Sequence, residues 1–205
     1  MNKCSFMTAF LVAGLAGPAA AADIAPDTLV QSVAADVLGI VKNDKDIQGG
    51  DSKKVIALVE EKILPHFDFM RMTALAMGPS WRKATAEQKT RLTDQFRTLL
   101  VRTYSVALTR YRDQTIEYRP SKAQPGDTDV TVRSLIRQPG AEAITIDYSM
   151  EKTPQSWKVY DITVAGISLV TTYRDAFAQE VRSAGVDGLI QRLAEKNRQL
   201  ETKGG

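Results

Sequence analysis

Cysteine is almost absent from this chain: of 205 residues only Cys4 carries a thiol, and histidine is equally scarce, with His66 alone. Cys4 stands ahead of an apolar run, Phe6 to Leu15, that follows a basic residue, Lys3, and ends in small residues at Ala19 to Ala22. That order is the pattern of a secretory signal peptide over residues 1–22, with cleavage expected after Ala21 or Ala22. The cysteine leaves with it. The remaining chain, 23–205, can then form no disulfide, thiolate nucleophile or cysteine metal site, although an exported compartment permits disulfides. No apolar run approaches the roughly 20 residues needed to span a bilayer. One sign of charge does not dominate either: removing Lys3 from the 27 basic residues leaves 26 against 24 acidic, a formal charge of +2. A surface so balanced, without arginine-lysine runs, gives no case for nucleic acid.

Catalytic parts are equally sparse. The chain has no Gly-x-Ser-x-Gly elbow, His-Glu-x-x-His pair, phosphate-binding loop or dinucleotide glycine pattern. His66 follows Pro65 at an expected helix end, where local hydrogen bonding is the ordinary role, and a general base also needs a nucleophile and an orienting group in reach. Most carboxylates, such as Glu60, Glu61, Asp68, Asp175 and Asp187, fall at caps or on exposed helix faces. Asp147 and Asp161 interrupt apolar strands, where each is expected to fix sheet geometry through a hydrogen bond or ion pair. No catalytic residue, cofactor or metal is expected.

About 183 residues can bury roughly 70% of their unfolded surface, so a single domain can stand without covalent staples. Helical spacing of Leu29, Val30, Val33, Val37, Leu38 and Val41 predicts a helix from Pro26, with Asp27 or Thr28 to cap it. A polar loop over 43–50 leads to a second helix from Asp51 or Ser52, with Val55, Ile56, Val59 and Ile63 inward and Pro65 ending it. Asp68 caps a short helix over Phe69 to Ala76. Thr85 and Gln88 form a capping box at the start of a helix of roughly 26 residues, about 39 Å long, reaching Tyr111. Four strands follow, Thr115 to Arg119, Asp129 to Arg137, Ala143 to Glu151 and Gln155 to Val164, separated by turns at Pro125-Gly126, Gln138-Pro-Gly140 and Lys152-Thr-Pro154. After a Gly166 corner come two helices divided by Gly185, the second capped by Asp187, and a polar tail over 197–205 expected to fray. The class is therefore α+β, with helices packed on a curved four-stranded antiparallel sheet.

Several of these segments together resemble one family. They are Phe67-Asp-Phe69, Met72-Thr-Ala-Leu-Ala-Met-Gly78, Trp81, the Gln88 to Tyr111 helix, Ile144-Thr-Ile-Asp-Tyr148, Trp157 to Phe177, and Gly185 to Asn197. In order and spacing they are similar to MlaC, the periplasmic phospholipid-shuttle family also called toluene-tolerance auxiliary proteins. The resemblance implies a cone like that of nuclear transport factors, with extra helices and acyl chains between sheet and helices. It further implies partners at both membranes: an outer-membrane lipoprotein complex, and an inner-membrane ABC transporter complex with its substrate-binding subunit. A hopanoid-carrying sister group would look similar, and cone-shaped folds also host enzymes, so both remain alternatives.

The expected lipid-binding residues are those turned inward on spine, sheet and closing helix: Leu99, Tyr104, Val132, Ile144, Ile146, Tyr148, Val164, Val170, Tyr173 and Phe177. The group of Met70, Met72 and Met77 with Phe67, Phe69, Leu75 and Trp81 suits either ordinary core or an adaptable cavity. Arg102, Arg110, Arg133 and Arg174 are candidates for a phosphate at the opening.

Overall fold

The computed structural model describes residues 24–120, 123–124 and 126–203; the expected signal peptide lies outside them. Helix α1, Pro26–Asn43, opens on a proline whose fixed φ suits the first helical position, with Ala25 rather than Asp27 or Thr28 at the cap. The polar loop after it contains a single turn, α2, Lys45–Gln48, capped by Asp44. Asp51 caps α3, Ser52–Leu58, by accepting from the Lys53 and Lys54 amides at 3.0 Å. This helix does not run evenly to Pro65. It widens into a π-helical turn over Val59–Ile63 and tightens to a 3₁₀ turn over Leu64–His66.

Asp68 caps α4, Phe69–Met77, as its spacing predicts, through the Arg71 amide at 2.8 Å. The capping box of Thr85 and Gln88 is present and starts α5, Ala86–Tyr104. That helix is shorter than expected, about 28 Å. At Ser105 the hydroxyl donates back to the Val101 carbonyl at 2.6 Å, a bond that bends helices. The chain continues as a separate turn, α6, Val106–Thr109, with i→i+3 bonds such as Leu108 N to Ser105 O.

Five strands follow in meander order: β1 Thr115–Tyr118, β2 Asp129–Arg137, β3 Ile144–Lys152, β4 Trp157–Val164 and β5 Ile167–Ser168. The expected four-stranded sheet thus gains a two-residue fifth strand, because the Gly166 corner is a tight hairpin that folds Ile167 back against Val164. Register places Val132 opposite Tyr148, Arg133 opposite Asp147 and Ile146 opposite Val164, with an irregularity at Ser149/Met150. On one face Val130, Val132, Met150, Trp157 and Val159 pack with Leu29 and Val30 of α1. A second apolar cluster joins α4, α5 and α7 around fully buried Phe96, and a third joins α1, α3 and the end of α5.

Helix α7, Arg174–Lys203, is broken at Gly185, whose φ of 73° and ψ of −177° are open to glycine and closed to other residues. Asp187, expected as a cap, accepts from Gln88 Nε2 at 3.0 Å and so ties the second arm to the start of α5. Within the described residues the tail is helical to Lys203: Asn197 is buried and donates to the Gln95 carbonyl at 2.9 Å, while Arg102 donates to the Asn197 carbonyl. Those bonds hold the last turns against α5.

Candidate binding pocket

Where the π turn, α4, α5, α6 and β4 meet, they leave a pocket of about 200 Å³. Val59 and Ile63 enter it from the widened turn and Leu64 from the tight turn after it, Phe67, Phe69 and Met72 from α4 and its approach, and Ile162 and Leu169 from the sheet side. Its remaining wall is Leu100, Val101, Tyr104, Ser105, Ala107 and Leu108. A π turn delays the chain by one residue, and π turns recur where a helix serves a site. Ser105 brings a hydroxyl, but the Val101 carbonyl occupies it. Twelve of the fourteen lining side chains are therefore hydrocarbon or thioether, which suits dispersion and exclusion of water and offers no acid, base or nucleophile.

On the other side of α5 lies a larger, amphipathic cleft of about 680 Å³ between that helix and the two arms of α7. Leu99, Tyr173, Phe177, Leu189, Leu193 and Leu200 form its apolar part, and Glu180, Arg192, Glu195 and Lys196 stand among its walls. The Phe96 ring meets Tyr173 edge-on at 5.2 Å and Phe177 at 5.1 Å, fixing both rings.

The residues expected to bind lipid are dispersed among these environments. Tyr104 lines the apolar pocket; Leu99, Tyr173 and Phe177 line the cleft. Val132 and Val170 are fully buried in packed core and face no space. Ile146, Tyr148 and Val164 are half-buried on the sheet, and Ile144 is 46% exposed at its end. This dispersal has a plain cause: α1 covers the sheet face at Val132, and the apolar pocket lies further along, beside Ile162. Alternation shows which side chains share a face and says nothing of which helix comes to cover it. Of the methionine and aromatic group, Phe67, Phe69 and Met72 do line the pocket, whereas Met77 is core and Met70 is 57% exposed.

Polar candidates resolve as structure. Asp147 takes a forked ion pair from Arg133 at 2.6 and 2.8 Å across β2 and β3. Asp161 accepts from the Ser168 hydroxyl at 2.5 Å and the Val170 amide at 3.3 Å, pinning the hairpin to the approach of α7. Arg174 donates to the Leu75 carbonyl at 3.0 and 3.1 Å and closes the end of α4. Arg102 pairs with Glu201 at 3.2 Å. Arg110 is exposed two residues beyond Leu108, with no ion pair among the described residues. Arg71 joins Asp129 at 2.8 Å and Glu151 while its guanidinium stacks 3.5 Å from the Tyr160 ring, locking α4 to β2, β3 and β4. His66 is held below its ordinary pKa by burial and by the Lys158 charge.

An α+β domain with a hydrocarbon-walled pocket and polar groups consumed by packing defines a class of binding domain for apolar ligands. The chain belongs to the MlaC family: the family model described as MlaC protein matches residues 31–195. It is 24% identical over 192 residues to a Haemophilus influenzae protein named intermembrane phospholipid transport system binding protein MlaC, covering 92% of this chain and 90% of that one. It is 28% identical over 163 residues to the Pseudomonas putida toluene tolerance protein ttg2D, covering 79% and 75%. Among solved structures it is similar to the phospholipid-binding protein from Ralstonia solanacearum in complex with a phospholipid, with a TM-score of 0.79 and 45% identity over 85% of this chain and 98% of that one.

Proposed function

We propose that this protein is a periplasmic phospholipid carrier, exported after cleavage near Ala21 or Ala22, that moves glycerophospholipid between an outer-membrane lipoprotein complex and an inner-membrane ABC transporter complex with its substrate-binding subunit, and so maintains lipid asymmetry of the outer membrane. The observation that carries the reading is the apolar pocket beneath α6, in a chain 45% identical to a structure that holds a phospholipid. Physical need supports it. Each exposed acyl methylene costs about 0.8 kcal/mol, so two bare chains crossing an aqueous gap would cost on the order of 20 kcal/mol. A hydrocarbon-lined hollow removes most of that cost and requires no covalent step, cofactor or metal. Partners at two membranes are supported by the intermembrane transport name of the Haemophilus relative.

Gentle purification followed by native mass spectrometry tests the reading. The expected result is a retained glycerophospholipid, identified by fragmentation. Ala107 is exposed yet borders the pocket, so Ala107→Trp fills the space without disturbing the core and is expected to lower lipid occupancy at least tenfold. A wild-type protein that is consistently empty overturns the reading, and lipid kept in Ala107→Trp moves the site out of this pocket.

A further inference from the structure

Half-buried arginines in this fold are held by carboxylates, with one exception. Arg71 pairs with Asp129 and Glu151, and Arg102 pairs with Glu201. Arg97, also half-buried on α5, makes no hydrogen bond or ion pair among the described residues; its guanidinium lies 5.9 Å from the centre of the Phe69 ring. Five N–H donors in a planar fork are thus presented without an acceptor. A partly desolvated cation in that state gains from an oxyanion brought to it.

Arg97 stands in a groove of about 350 Å³ between α5 and the run of α3 into its π turn, above the roughly 300 Å³ at which pockets for small molecules begin. Glu60 enters the groove from the π turn, and Asp94 enters it from α5, one turn before Arg97. Neither side chain makes an ion pair or hydrogen bond among the described residues. Arg102 also lines the groove but is turned to Glu201. One free positive charge therefore faces two free negative ones. A simple anion would meet the carboxylates as well as the arginine, whereas a zwitterion satisfies both signs.

This groove adjoins the hydrocarbon pocket. Val101 lines both spaces, and Phe69, whose ring Arg97 approaches, lines the pocket. A polar head seated at Arg97 leaves its chains one side chain to pass before they reach hydrocarbon.

We propose that the groove between α3 and α5 is a headgroup site that selects a zwitterionic head, phosphatidylethanolamine over phosphatidylglycerol: the Arg97 guanidinium donates to the phosphate, and Glu60 and Asp94 accept from the ammonium. This rests on the phospholipid-carrier reading and adds to it a choice among lipids that the apolar pocket cannot make, since hydrocarbon walls read chains and not heads.

The test offers lipid-stripped protein an equimolar mixture of phosphatidylethanolamine and phosphatidylglycerol with the same acyl chains, in mixed micelles, and reads both adducts by native mass spectrometry. The expected wild-type result is about a tenfold excess of the ethanolamine lipid. Glu60 and Asp94 are exposed, so the double variant Glu60→Gln, Asp94→Asn leaves the core alone and should bring the ratio to about one. Arg97→Gln should lower occupancy by both lipids about tenfold, because both carry the phosphate, with the melting temperature of the stripped protein as its folding control. Glycerophosphoethanolamine, the same head without chains, should leave bound lipid in place. A wild-type ratio near one, a ratio unmoved in the double variant, or full occupancy in Arg97→Gln overturns the headgroup site while the carrier reading stands. Displacement of lipid by the chainless head also overturns it, and would assign the groove to a free zwitterion. A wild type that takes up neither lipid overturns both readings.

Discussion

At the scale of single residues, the hairpin between β4 and β5 holds a conformation its sequence does not favour. Ala165 has φ of 49° and Gly166 has φ of 83°, so both central residues of a two-residue turn are left-handed, as a type I′ turn requires. Glycine adopts that region freely; alanine there costs roughly 1–2 kcal/mol. Ala165→Gly should therefore stabilise the protein by about 1 kcal/mol and raise the melting temperature by about 2–4 °C, read by circular dichroism; a lower melting temperature would count against the turn geometry. Gly166 is visible in the sequence as a corner, whereas nothing about an alanine announces a positive φ. His66 supports a second expectation. Because its pKa is depressed in the folded protein, the unfolded chain binds the proton first as pH falls. Its stabilising contribution is thus complete above the ordinary value of 6.5 and is lost as pH drops through the lower folded value. The melting temperature of wild type should fall more steeply below pH 6.5 than that of His66→Gln; parallel pH profiles would show that the ring is not desolvated.

At the scale of elements, the two arms of α7 depend on one backbone conformation. Gly185 lies in a region that side chains exclude, and the break there lets the second arm turn back along α5, where Leu189, Ile190 and Leu193 bury themselves. Gly185→Ala should cost about 1–3 kcal/mol, measured by urea denaturation, and should also loosen the cleft that both arms line. An unchanged midpoint would mean that the break is carried by packing rather than by the glycine. This break and the capping box at Thr85 were legible because each is a local rule written in one or two residues. The end of α5 was not. Tyr104, Ala107, Leu108 and Tyr111 keep helical spacing straight through the bend, so apolar periodicity runs on while the Ser105 hydroxyl diverts the backbone. The π turn at Val59–Ile63 is hidden in the same way, since Val55, Val59 and Ile63 fit an ordinary helix stripe equally well.

At the scale of the whole molecule, the α+β class and the strand order could be read from the change of apolar period, but the position of the hollow could not. Val132 and Ile162 both belong to an inward sheet face; α1 closes over the first and leaves the second open, and that choice is made by helices distant in sequence. A pocket lined in this way couples lipid binding to global stability. Lipid bound within the folded protein and absent from the unfolded chain stabilises the native state by RT ln(1 + [L]/Kd), about 2.7 kcal/mol when free ligand is a hundredfold above Kd. For a chain of this size that corresponds to a rise of roughly 5–10 °C in melting temperature. Lipid-loaded protein should therefore melt above the same preparation stripped of lipid, and the difference should vanish in Ala107→Trp, whose side chain takes the ligand's place. The comparison separates an enclosed chain from one adsorbed at the surface. A lipid held on the exposed apolar side chains Ile144, Val106 or Ile167 would leave the Ala107→Trp difference intact, and that outcome would move the site out of the pocket.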